Sequence, residues 1–134
     1  MRGPRQHEVF NLDNPAGLAG LLSGRADSPV VQAVPGVLGL FLLPVGSTPP
    51  NPLELVERPA FGLLMRELTA KFDHVVVDTP AAQYGSDAAV IADRCGASLM
   101  LARKDVTLID SAEELALELA DDSSRLAGVV MNGY

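Results

Sequence analysis

Residues 72–80, Phe-Asp-His-Val-Val-Val-Asp-Thr-Pro (FDHVVVDTP), decide the fold. Val75, Val76 and Val77 form an unbroken β-branched run, which predicts a strand covered on both faces, and Asp78 closes the run with a carboxylate. In an open α/β sheet the carboxyl edge of the strands is where ligands bind, so Asp78 is the first candidate functional residue. Working back from the run, Phe61, Leu64, Met65, Leu68 and Phe72 fall at helical spacing and predict a helix leading directly into the strand.

Working forward, Ser86 is placed to cap a helix carrying Ala88, Ile91 and Ala92, with Gly96 as its stop. Residues 97–102 (ASLMLA) read as a strand. Thr107 can cap a helix with Leu108, Ala112, Leu115 and Leu119 on one face and Glu113, Glu114 and Glu118 outside. Residues 126–131 (LAGVVM) read as a last strand, ending at Asn132. Towards the start, Asn14 and Pro15 predict the cap and first turn of a short helix ended by Ser23 and Gly24. Residues 37–43 (VLGLFLL) predict a strand between Pro35-Gly36 and Pro44. Pro49, Pro50 and Pro52 stiffen the next loop, and Leu53 opens a turn of helix. Four strand candidates separated by helices imply a three-layer α/β domain with a right-handed, mostly parallel sheet over residues 1–134.

Composition agrees with that class. The chain has 134 residues, 48% of them hydrophobic and only 4% aromatic, so its core is aliphatic, as suits a parallel sheet under helices. Ten Lys and Arg against 17 Asp and Glu give a net charge of −7, which argues against nonspecific binding to nucleic acid or to an anionic membrane. Cys95 is the single cysteine and predicts a small buried residue near a helix end rather than a disulfide or thiolate metal site. No signal peptide or transmembrane run is legible, and the setting expected is soluble and cytoplasmic. His7 and His74 lack partners at metal-ligand spacing, and no serine sits in a G-x-S-x-G turn.

The chemistry therefore centres on Asp78. An apolar run ending in Asp is a Walker B-like pattern, in which the carboxylate holds Mg²⁺ beside a nucleotide's phosphates. The alternative reading is a buried strand whose Asp caps the following turn. Asn132 has an equally plain alternative as a turn residue before Gly133. Tyr84, in the loop after Asp78, is read as a packing aromatic in preference to a phosphorylation site.

Taken in order, RGPRQHEVFNL, NPAGLAGLLSG, LLPVGSTPPNPLELV, FDHVVVDTP, SDAAVIA and AGVVMN resemble the kinase domain of the bacterial tyrosine kinases of exopolysaccharide synthesis. These are the chain-length-determinant or polysaccharide co-polymerase kinases, relatives of the MinD/ParA group of P-loop ATPases. The resemblance covers nearly the whole chain, and PVGSTPPNPLEL is its most specific piece. It implies that Asp78 is the Walker B aspartate near Mg²⁺, with Thr79 and Pro80 completing the motif. It implies that Arg2 closes a second Walker A-like motif, Asp-x-Asp-x-Arg, and that Asn132 hydrogen-bonds adenine through its carboxamide. It also implies ATP and Mg²⁺ as cofactors, autophosphorylation on tyrosine, a homo-oligomer, and a membrane co-polymerase partner that brings the protein to the inner face of the membrane.

The departures are equally specific. No G-x-x-x-x-G-K-S/T sequence occurs in these residues, so the phosphate-cradling amides, the lysine and the magnesium-binding hydroxyl of a P-loop are not encoded here. The family's tyrosine-rich tail is not seen either. The resemblance thus implies the C-terminal part of a P-loop kinase fold, starting after the first strands and the P-loop, and inactive alone. The alternatives are a non-catalytic interaction fragment or degenerate paralogue, and a MinD/ParA-like ATPase, the latter opposed by PVGSTPPNP.

Overall fold

The computed structural model describes residues 3–14, 17–25, 31–121 and 125–133. The chain divides into two compact units, Met1–Leu64 and Met65–Tyr134.

The first unit holds the short helices α1 (Gln6–Val9), α2 (Leu18–Leu22) and α3 (Pro52–Glu57), a two-residue strand pair and the start of α4 (Pro59–Lys71). The pair is antiparallel, β1 (Gln32–Ala33) against β2 (Phe41–Leu42). This corrects the strand expected over residues 37–43, of which only Phe41 and Leu42 are paired. Gly36 and Gly39, both at positive φ, turn the chain back over residues 34–40, and Leu38 stands fully in solvent at the tip. Among the described residues of this unit, Ala19, Leu22, Val34, Leu55, Val56, Phe61 and Leu64 are buried.

Its best-defined feature is the junction between α2 and the loop after β2. The Leu18 and Ala19 amides donate to the carbonyls of Pro44 and Val45, both at 2.9 Å, so two N–H groups that a helix start leaves unpaired are satisfied by main chain. Asn14, expected as a helix cap, instead spans 32 residues of sequence. Its Nδ2 donates to the Gly46 carbonyl at 3.1 Å and its Oδ1 accepts the Gly46 amide at 2.6 Å. Gly17 is the N-cap, and a Cβ there would lie 2.1 Å from the Pro44 carbonyl oxygen.

The second unit holds the end of α4, α5 (Asp87–Cys95), β3 (Ala97–Arg103), α6 (Ile109–Asp121) and β4 (Arg125–Asn132). β3 and β4 pair in parallel from Ala97↔Arg125 to Arg103↔Asn132, with a bulge after Ser98 that skips Ala127. The Arg125 amide donates to the Gly96 carbonyl at one end of the ladder, and the Lys104 amide donates to the Asn132 carbonyl at the other. Gly96 ends α5 as expected, its amide donating to the Ala92 carbonyl. Met65, Ile91, Ala92, Met100, Ala102 and Leu119 are buried. The α/β class and the parallel pairing agree with the sequence reading.

The strand expected at Val75–Asp78 does not form. Residues 74–81 run as irregular chain between α4 and a 3₁₀ turn (Ala82–Tyr84), and no described strand is laddered to them. Val75 and Val77 are half-buried, whereas Val76 is 91% exposed. The physical reason lies in the ladder: a parallel strand exists only through hydrogen bonds to neighbours, and among the described residues the segment has none to join.

Replacing Gly17 with Ala forces the Pro44–Gly46 backbone away from α2. We expect Gly17→Ala to lower unfolding stability by about 1–3 kcal/mol in a denaturant titration. Gly24→Ala, at a glycine whose added Cβ meets nothing within 4 Å, has only its positive φ to overcome, about 1–2 kcal/mol, and is expected to cost less than Gly17→Ala. Equal losses at both positions would contradict the tight junction.

Candidate functional site

The carboxyl end of the β3–β4 pair is the part of the molecule where sequence expectation and structure meet. β3 runs out at Arg103 into a tight turn. The Arg103 carbonyl accepts the amides of Val106 and Thr107 at 3.2 and 2.9 Å, and the Arg103 amide donates to Thr107 Oγ1 at 2.8 Å. Thr107 thus closes the turn ahead of α6, where a cap on α6 itself was expected, and Leu108 is exposed, not on the inner face. Asp105 takes up left-handed backbone, φ 58°, within this turn.

Asn132 is the last residue of β4 and sits opposite Arg103 in the register. Its carbonyl accepts the Lys104 amide at 2.8 Å, which fixes the end of the strand to the start of the turn. The residue is exposed, so its carboxamide is accessible from solvent.

An open cleft of about 500 Å³ lies beside this edge. Its floor is one face of the two strands, Met100 and Ala102 on β3 with their register partners Val129 and Met131 on β4. Ala112 and Ala116 of α6 form a wall, and Lys104 and Thr107 stand at the strand-end rim. Neither the cleft nor the Lys104–Asn132 bond was read from the sequence. The period-two pattern Met100/Ala102 and Val129/Met131 was the available signal, but it names a face without saying what covers it.

Asp78 is exposed, and Thr79 and Pro80 are half-buried, on the irregular segment described above. Arg2 lies outside the described residues. Among the described residues no group of three or more His, Cys, Asp or Glu could hold a metal ion. A single carboxylate fits a Mg²⁺ carried by phosphates, because such ions keep waters and take one or two protein carboxylates. It does not fit a metal site built by protein alone.

Two further side chains were not singled out. Asp87, at the start of α5, is the one buried charged residue among those described. Ser98 Oγ is buried next to the bulge with no hydrogen-bond partner. Cys95 is half-buried at the end of α5, where the sequence suggested a buried residue, and burial pushes its thiol up from the ordinary value.

No protein-family profile matches the chain. By sequence it is 35% identical over 128 residues to tyrosine-protein kinase ptk of Acinetobacter johnsonii, covering 96% of this chain and 17% of that protein. It is 30% identical over 132 residues to tyrosine-protein kinase wzc of Salmonella typhimurium, covering 98% of this chain and 18% of that protein. By structure it matches the kinase domain of Escherichia coli tyrosine kinase ETK with a TM-score of 0.91 at 31% identity, over 98% of this chain and 52% of that one. The chain therefore spans under a fifth of the length of these curated relatives and about half of the solved kinase-domain chain.

The orphaned Ser98 hydroxyl is testable. A buried donor without a partner costs about 1–3 kcal/mol, so Ser98→Ala should leave thermal stability unchanged or raise it. A clear loss of stability would mean that the hydroxyl is paired in solution.

Proposed function

We propose that this chain, whose homologues are bacterial tyrosine-protein kinases along almost all of its length, forms the C-terminal part of one kinase fold in which Asp78 and Asn132 serve a bound nucleotide. The observation that supports it most is the order of the parallel ladder. β3 and β4 end together at Arg103 and Asn132, and Asn132 stands exposed at the edge where α/β sheets bind ligands.

In this reading the protein is an ATP-dependent kinase of exopolysaccharide or capsule synthesis that autophosphorylates on tyrosine. When bound, Mg-ATP supplies the γ-phosphoryl group and a metal that neutralises its developing charge. Asp78, an exposed residue, would hold the metal through water. Thr79 and Pro80 set the path of the chain after it. Asn132 offers a donor and an acceptor to the adenine edge, and the Lys104 amide on its carbonyl holds its main chain in place. Arg2 would contribute a cation towards the phosphates.

The P-loop groups are not among these 134 residues, so positioning and charge stabilisation must come from polypeptide outside them. A homo-oligomer and a membrane co-polymerase subunit are the partners that this reading carries, with the protein held at the inner face of the membrane. Among the described residues no helix is long and apolar enough to cross a membrane. A second reading, a non-catalytic module that keeps the fold and binds partners only, is favoured by the lack of a P-loop sequence in these residues. Reading the coding sequence upstream of Met1 separates the two: an in-frame P-loop supports the kinase.

The expected biochemistry is specific. The purified 134-residue chain should form no phosphotyrosine with Mg-ATP, while a polypeptide that also carries the P-loop portion should. In that longer protein Asp78→Asn should lower phosphotyrosine formation on the order of a hundredfold. Mg²⁺-dependent phosphotyrosine made by the short chain, or an unchanged rate in Asp78→Asn, would contradict the assignment.

A further inference from the structure

Among the described residues Tyr84 is the single tyrosine, and the proposed site gives it no role. Its sequence setting, six residues beyond Asp78, reads as a packing aromatic, but the side chain lies mostly in solvent. It is 62% exposed, and Gln83, Gly85 and Ser86 on either side are exposed as well. The 3₁₀ turn Ala82–Tyr84 holds this stretch away from the core: the Tyr84 amide donates to the Ala81 carbonyl at 2.9 Å, and the Gly85 amide to the Ala82 carbonyl at 3.1 Å. The chain re-enters the interior only at Asp87, which is buried at the start of α5.

A large aromatic side chain in solvent contributes little to the fold, since its stabilising value comes from burial. What the arrangement does provide is a phenol presented to solvent on a short hydrogen-bonded turn, with uncharged neighbours in Gln83, Gly85 and Ser86. In a protein whose homologues transfer phosphoryl groups to tyrosine, that is the geometry of an acceptor.

We infer that Tyr84 is a phosphoacceptor of this protein, modified by a second copy of the same kinase. The inference rests on the kinase reading above. In the step, the phenolic oxygen Oη attacks the γ-phosphorus of a nucleoside triphosphate and an Oη–P bond forms. The bond from that phosphorus to the β–γ bridging oxygen breaks, the nucleoside diphosphate leaves with the electron pair, and the phenolic proton passes to solvent. The product places a charge of about −1.5 to −2 on the loop that follows Asp78.

The sequence makes the test clean. Cleavage after Lys71 and Arg94 releases residues 72–94, in which Tyr84 is the single tyrosine. The natural protein, purified with its P-loop portion and stripped of phosphate, is incubated with Mg-ATP, and this peptide is fragmented in a mass spectrometer. Phosphate located on Tyr84, and missing from the same peptide of Tyr84→Phe while other tyrosines of that variant remain modified, is the expected result. The Phe variant keeps the ring, so a fold defect does not imitate the loss. Phosphotyrosine elsewhere with Tyr84 bare overturns this inference and leaves the kinase reading standing. No phosphotyrosine on any residue overturns both.

Discussion

Backbone hydrogen bonds that a parallel strand cannot make alone are the constraint on which the second unit depends. A helix satisfies its own amides and carbonyls, so α4, α5 and α6 form wherever an apolar stripe and a stop permit. A parallel strand satisfies none of them alone. β3 and β4 form because each has the other, with Gly96 and Lys104 fastening the two ends of the ladder. Val75–Val77 have the composition of a central strand, yet remain irregular chain with Val76 in solvent, and no described strand runs beside them. Leu99 and Leu101 on β3 and Val130 on β4 are exposed as well, on one face of the pair. Two-stranded sheets are marginal on their own, and apolar surface of this kind is normally covered. The chain spans 52% of the ETK kinase-domain chain, so in the proposed kinase fold further strands and helices would be needed to flank and cover this pair.

What the sequence disclosed follows from this division between local and distant demands. The α4 stripe from Phe61 to Leu68, the Ala88–Ile91–Ala92 face, the Gly96 stop and the β3 and β4 runs are short-range patterns, and each reappears where it was expected. The misreadings involve partners far away in sequence or competition within a turn. Asn14 looked like a cap but bonds Gly46, 32 residues on. Residues 37–43 looked like a strand, but two glycines at positive φ turn them. Thr107 spends its hydroxyl on the Arg103 amide. An apolar run of three valines ahead of an aspartate is a strand only when neighbours exist, and nothing inside the run says whether they do.

The candidate site was legible through motif order more than through chemistry. Asp78, Thr79, Pro80 and Asn132 carry no local signature stronger than a turn aspartate and a turn asparagine. The cleft floored by Met100, Ala102, Val129 and Met131, and the Lys104 amide on the Asn132 carbonyl, needed the register of the ladder to be seen. Tyr84 shows the reverse case. Composition suggested packing, and exposure on the 3₁₀ turn removed that explanation.

The most direct measurement is hydrogen exchange at the amides of residues 75–78, taken in the 134-residue chain and in a longer polypeptide that adds the portion matching the rest of a solved kinase domain. The account predicts fast exchange of these amides in the short chain and strong protection in the longer one, with the β3–β4 amides protected in both. Equal protection of residues 75–78 in the two proteins would contradict it, because the valine run would then find its ladder partners within the 134 residues.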